Sequence, residues 1–121
     1  MRTGAGSLKG LRVLVVEDDF TIADLMAEMF EARGAEIVGP VATVKDALAL
    51  IARDEPIDGA VLDVNLRGEL VFPVADALCR RDVRFVFMTG YDEHFVEPRF
   101  AGAPCVQKPV ALEQLAQALF G

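Results

Sequence analysis

Four short stretches of the 121-residue chain carry side chains able to do chemistry together: Glu17-Asp18-Asp19, Asp63, Thr89-Gly90 and Lys108-Pro109. Three or four carboxylates in one crevice repel each other, and their pKa values rise unless a cation joins them. An oxygen-only donor set with room for water suits a hard ion, and Mg²⁺ is the obvious choice. Lys108 adds a fixed positive charge, and the Thr89 hydroxyl can donate a hydrogen bond. A metal, a lysine, a hydroxyl and an exposed carboxylate are the parts needed to handle a phosphoryl group. The carboxylate would be the nucleophile and become an aspartyl-phosphate, while the cations offset charge on the phosphoryl oxygens. Singly, each stretch has an ordinary reading. Acids after a strand cap the next helix, a lone Asp makes a turn, and Thr-Gly or Lys-Pro occurs in many loops. The chemistry depends on all four meeting.

The surrounding pattern is what would bring them together. LRVLVV (11–16), AEIVG (35–39, closed by Pro40), GAVLDV (59–64), VRFVFM (83–88) and the weaker APCVQ (103–107) read as five strands. Helical spacing falls between them. Ile22, Leu25, Met26 and Met29 repeat behind a possible cap at Asp19, with Gly34 as the stop. Val44, Ala47, Leu48 and Ile51 follow Thr43 and Asp46, a pair resembling a capping box. Val74 and Leu78 follow Pro73, and Leu112, Leu115, Ala116 and Leu119 form a last helix. Strands apolar on both faces and separated by helices predict an α/β domain: a doubly wound, five-stranded parallel sheet in the flavodoxin-like order 2-1-3-4-5. Ligands of such sheets bind outside the carboxyl ends of the strands, and the four stretches fall there.

Composition narrows the function classes. The chain suffices for one domain, with 1–9 expected as a flexible leader and 10–121 as the folded unit. A net charge of −7 argues against nucleic acid. No apolar run approaches the ~20 residues of a membrane span, and the sparse cysteines suit a reducing cytosol, so a cytoplasmic protein is expected. Cys79 and Cys105 have no metal-like spacing and are expected to be plain buried packing residues.

Taken in order, the acidic pair Glu17-Asp18, Asp63, Thr89 and Lys108-Pro109 resemble the receiver domain of bacterial two-component response regulators, over about residues 11–120. The resemblance implies that Asp63 is the phosphoacceptor and that Asp18 binds Mg²⁺ directly, Glu17 through water and Asn65 through its backbone carbonyl. It further implies that Thr89 and Lys108 contact the phosphoryl group, with Gly90 leaving the approach open. FMTGY (87–91), with DVNLRGE (63–69) and PVADAL (73–78), is similar to the single-domain subgroup named FAT GUY; only Met88 departs from that name. The implied role is a stand-alone phosphoacceptor in a phosphorelay, a signalling protein and not a metabolic enzyme. It would be charged by a sensor histidine kinase or phosphotransfer protein. Output would go to a partner protein or into a phosphate sink, from a monomer or a phosphorylation-dependent dimer.

Two departures from the receiver pattern stand out. Cys105 occupies the position of the usual switch aromatic, which leaves Tyr91 as the nearest substitute. The short interval from Thr89 to Lys108, with Pro98 inside it, predicts a shortened or remodelled fourth helix, and His94 there reads as a solvated loop residue. Two other readings compete. One is a degenerate receiver serving only as a binding module. The other is a Mg²⁺-dependent aspartyl phosphatase of the haloacid dehalogenase kind, which would want its nucleophile after the first strand and a cap domain.

Overall fold

A computed structural model of the chain describes residues 7–90, 96–108 and 112–121. In chain order the elements are β1 (Arg12–Val16), α1 (Phe20–Ala32), β2 (Glu36–Val41), α2 (Val44–Ala52), β3 (Gly59–Asp63), β4 (Asn65–Leu66), β5 (Glu69–Leu70), α3 (Phe72–Arg80), β6 (Arg84–Thr89), β7 (Cys105–Gln107) and α4 (Leu112–Phe120), with a 3-10 turn at Pro98–Phe100 before β7. Five strands form one parallel sheet in the order β2-β1-β3-β6-β7. This is the expected 2-1-3-4-5 order once the small β4–β5 hairpin is set aside.

The two-residue period of a strand explains why these runs are apolar throughout. Leu14 and Val16 of β1, Ala60 and Leu62 of β3, and Phe87 of β6 face a core completed by Val44, Ala47 and Ile51 of α2 and by Phe72, Val74 and Leu78 of α3. Their neighbours Val13, Val15, Val61, Val86 and Met88 face the other core, closed by Met26 and Phe30 of α1 and Leu115 and Leu119 of α4. Every residue of β3 is buried. Helix starts follow local chemistry. Asp19 Oδ1 accepts from the N–H groups of Thr21 (2.9 Å) and Ile22 (3.1 Å), and Thr43 Oγ1 accepts from that of Asp46 (3.1 Å).

Several details differ from expectation. β2 continues through Pro40 to Val41; as an edge strand it tolerates a residue with no N–H. The buried face of α1 is Ala23, Met26, Ala27 and Phe30, while Leu25 is 55% and Phe20 72% exposed. The two alanines are buried, which a pattern of large apolar residues overlooks. Cys79 and Cys105 are both exposed and not packing residues, one near the end of α3 and the other on the edge strand β7. Leu8, placed by sequence in the leader, is buried, and its N–H donates to the Arg33 carbonyl at 2.8 Å. Residues 1–6 of that leader lie outside the described residues.

The hairpin was not anticipated. Its turn residues Arg67 and Gly68 both have positive φ, 56° and 94°, which suits a two-residue loop joining twisted antiparallel strands. Between β6 and β7 the described residues contain only the 3-10 turn, in keeping with a shortened fourth helix. Phe100 anchors it among Phe72, Phe85 and Phe87, with ring centroids 5.7 to 6.0 Å away. Arg99 adds a two-pronged pair with Asp76 of α3. Among the described residues, no helix is long and apolar enough to cross a membrane.

Candidate functional site

The carboxyl ends of β1, β3, β6 and β7 bring Glu17, Asp18, Asp63, Thr89 and Lys108 to one edge of the sheet. An open cleft of about 340 Å³ there is lined by Glu17, Asp18, Asp63, Asn65, Gly90 and Lys108, among others. Backbone bonds set the frame. The Glu17 N–H donates to the Val41 carbonyl at 2.9 Å, that of Val64 to Met88 at 3.0 Å, and that of Lys108 to Thr89 at 2.8 Å. The last of these carries Lys108 just past the end of β7 and turns its side chain inward.

Lys108 bridges two buried acids: its Nζ lies 2.7 Å from Glu17 Oε1 and 3.0 Å from Asp63 Oδ2. The other Asp63 oxygen accepts from the Asn65 N–H at 3.2 Å, and Glu17 Oε2 accepts from the Asp19 N–H at 3.1 Å. Asp63 is 3% exposed, so it forms the floor of the cleft and is not an exposed carboxylate as its position after a strand suggested. Asp18, half-buried, pairs with Arg67 Nε at 3.3 Å.

The charge in this cleft is unbalanced. One oxygen from each of Glu17, Asp18 and Asp63 lies within 4.8 Å of the others. Burial first, then hydrogen bonding and charge from Glu17, together push the Asp63 carboxyl from 3.8 up to about 8, with Lys108 only partly opposing them. Asp18 moves the other way. Burial resists ionisation there, but hydrogen bonds with Asp63 and Glu17 and the charge of Lys108 prevail, so its carboxyl falls below the ordinary value. In the metal-free cleft the surroundings of Asp63 thus favour its protonated form and those of Asp18 its ionised form. Lys108 stays charged because Glu17 and Asp63 outweigh its own burial. Glu17 Oε1 touches the Lys108 ammonium yet has no well-directed hydrogen bond, a buried oxygen short of partners. A carboxyl pushed toward its neutral form by neighbouring acids and a buried carboxylate oxygen short of partners are what a hard dication would relieve, and the donors are all oxygens, so the residues fit Mg²⁺.

Not every expected site residue joins this cleft. Cys105 is exposed on β7 and instead borders a shallow groove with Gln114, Gln117 and Ala118 of α4. Tyr91, His94 and Pro109 lie outside the described residues. Sequence reasoning missed Arg67, which also lines the cleft; the Arg-Gly step two residues after Asn65 was the available signal for a turn.

The sequence profile of the response regulator receiver domain matches residues 13–120. No curated protein gives a significant match. Among solved structures, SdrG from Sphingomonas melonis Fr1 is 42% identical over 97% of this chain and 96% of its own, with a TM-score of 0.78. The BeF3-activated conformation of SdrG from Pseudomonas melonis Fr1 is 44% identical over 89% and 92%, with a TM-score of 0.73. A response regulator from Burkholderia pseudomallei, solved with a phosphorylated aspartic acid, a calcium ion and citrate, shares the fold at 21% identity. It aligns over 90% of this chain and 66% of its own, with a TM-score of 0.75.

Proposed function

The chain belongs to the response regulator receiver family, and from that membership we propose that it is a phosphorelay receiver of the FAT GUY type whose Asp63 accepts a phosphoryl group. The observation that carries this reading is the placement of Asp63, held on the floor of an acidic cleft by Lys108 on one oxygen and the Asn65 N–H on the other. Those two contacts fix both carboxylate oxygens on the cleft floor and leave the cleft mouth to the donor. The donor would be the phosphohistidine of a sensor kinase or phosphotransfer protein. Asp63 attacks as the carboxylate, so any proton it holds in the metal-free cleft must first pass to solvent water. An O–P bond then forms as the P–N bond breaks, and the electron pair returns to the imidazole.

Mg²⁺, bound by Asp18 and Asp63 directly, Glu17 through water and the Asn65 carbonyl, would supply positive charge against the carboxylates and phosphoryl oxygens. Lys108 then meets the phosphoryl group from the buried side, and Thr89, at the end of β6, is drawn toward it by a charge-assisted hydrogen bond. A relative at 44% identity exists in a BeF3-activated conformation, and activation by the same phosphoryl mimic is proposed for this chain. Because Cys105 is small and outward-facing, the output is assigned to the segment after Gly90 and to Tyr91. Tyr91→Ala is expected to weaken capture of the output partner by the phosphorylated protein while leaving the labelling of Asp63 intact.

The direct test is labelling by a small phosphodonor across a Mg²⁺ titration. Asp18→Ala removes one proposed ligand, so metal affinity and labelling rate should fall together by roughly tenfold or more, since even groups outside the ligand set cost that much. Labelling that proceeds equally well in chelator would reject the metal assignment.

A further inference from the structure

Arg67 occupies a position that seldom carries a long side chain. It is the first of two turn residues between β4 and β5, at φ 56°, where Asn, Asp or Gly are the usual occupants. Its side chain is 75% exposed, yet its Nε reaches Asp18 Oδ2 at 3.3 Å. The same hairpin is tied to a second acid of the cleft. The Asn65 N–H donates to Asp63 Oδ1 at 3.2 Å, and Asn65 Oδ1 accepts from the Gly68 N–H at 2.5 Å. The base of the hairpin therefore rests on Asp63 and its tip on Asp18. Glu17 and the remaining Asp63 oxygen are held from the buried side by Lys108.

The two basic groups differ in what a cation would do to them. Lys108 is largely enclosed and bound to two acids, whereas Arg67 is an exposed partner of one. Exposed ion pairs are weak and readily exchanged. We infer that Arg67 is a displaceable latch: it occupies Asp18 while the cleft holds no metal and leaves when Asp18 takes a divalent cation, so the hairpin tip senses loading of the site. The inference rests on the reading of the cleft as a Mg²⁺ site. A guanidinium and a dication cannot share one carboxylate oxygen without repelling each other. The arginine thus raises the Mg²⁺ concentration needed for loading, and the released tip changes the surface beside the cleft mouth.

The experiment is a calorimetric Mg²⁺ titration of wild type, Arg67→Gln and Arg67→Lys at low and high salt, with the Gly68 amide followed by NMR. Removing one positive charge near the ion should tighten Mg²⁺ binding by about threefold to tenfold in Arg67→Gln at low salt, with a smaller gain at high salt. Arg67→Lys, which keeps the charge, should stay close to wild type. The Gly68 resonance of wild type should move on Mg²⁺ addition, and that of Arg67→Gln should move less. Equal or weaker binding by Arg67→Gln overturns the latch while leaving the metal site standing. An equal gain in Arg67→Lys also overturns it, because charge would not be the cause. Absence of Mg²⁺ binding by wild type removes the metal reading itself, and the latch with it.

Discussion

Asp63→Asn is expected to abolish labelling by phosphodonors while the protein remains folded. The amide keeps the shape of the carboxyl and can still accept from the Asn65 N–H, but it has no ionisable oxygen to attack phosphorus. The substitution also has a signature in stability. Asp63 is raised from 3.8 to about 8 in the folded chain, chiefly by burial. Between those values the folded state holds a proton that the unfolded state has lost. Metal-free wild type should therefore lose stability as pH rises across that window, by at most about 1.4 kcal/mol per pH unit, and level off above it. Asp63→Asn should flatten this slope and melt higher than wild type at pH 8 in chelator. Continued labelling of Asp63→Asn would move the acceptor to Asp18 or Asp19. An unchanged pH slope would show that the proton resides elsewhere in the cluster.

Lys108→Ala should produce the opposite pattern. It removes the cation shared by Glu17 and Asp63, two acids that are almost fully buried. Removing one partner of a buried ion pair commonly costs about 3–5 kcal/mol because the other charge is left uncompensated. Lys108 is itself partly accessible, with 21% of its side chain exposed, so the lower end of that range is expected in metal-free protein at pH 8. The loss should shrink toward pH 5, where protons replace the missing cation, and it should shrink again when Mg²⁺ is added. Mg²⁺ binding should be unchanged or tighter, since a positive neighbour has gone, while the phosphorylated state becomes short-lived. Chemical denaturation at the two pH values, with and without Mg²⁺, measures the first part and loss of label over time the second. A Lys108→Ala protein as stable as wild type in chelator at pH 8 would mean that Lys108 does not neutralise these acids.

Much of this was legible in the chain because it depends on local rules. Strand runs apolar on both faces announced a covered parallel sheet, and the sheet order followed from size and alternation. Asp19 and Thr43 cap helices through contacts only two or three residues long, so their types and positions sufficed. The convergence of Glu17, Asp18, Asp63, Thr89 and Lys108 was legible for a related reason. In a parallel sheet every strand ends on the same edge, and the end of each run can be read from composition. The short interval holding Pro98 likewise announced a shortened fourth helix, in keeping with the 3-10 turn that its described residues form.

Other features required the tertiary structure, because they arise between segments distant in sequence. Nothing in the spacing of α1 shows that Ala23 and Ala27 are buried while Leu25 is exposed; packing against the rest of the fold sets that rotation. Cys79 and Cys105 are exposed because of where α3 and the edge strand β7 place them, not because of their own chemistry. The raised pKa of Asp63 reflects burial together with Glu17, 46 positions earlier in the chain, and no residue type encodes it. Arg67 meets Asp18 only because a two-residue turn with positive φ folds β4 and β5 back over the cleft. Residue types and their order thus determined which groups could gather at the sheet edge. Packing decided how deep each one lies, which of them share a charge, and which stand free enough to move.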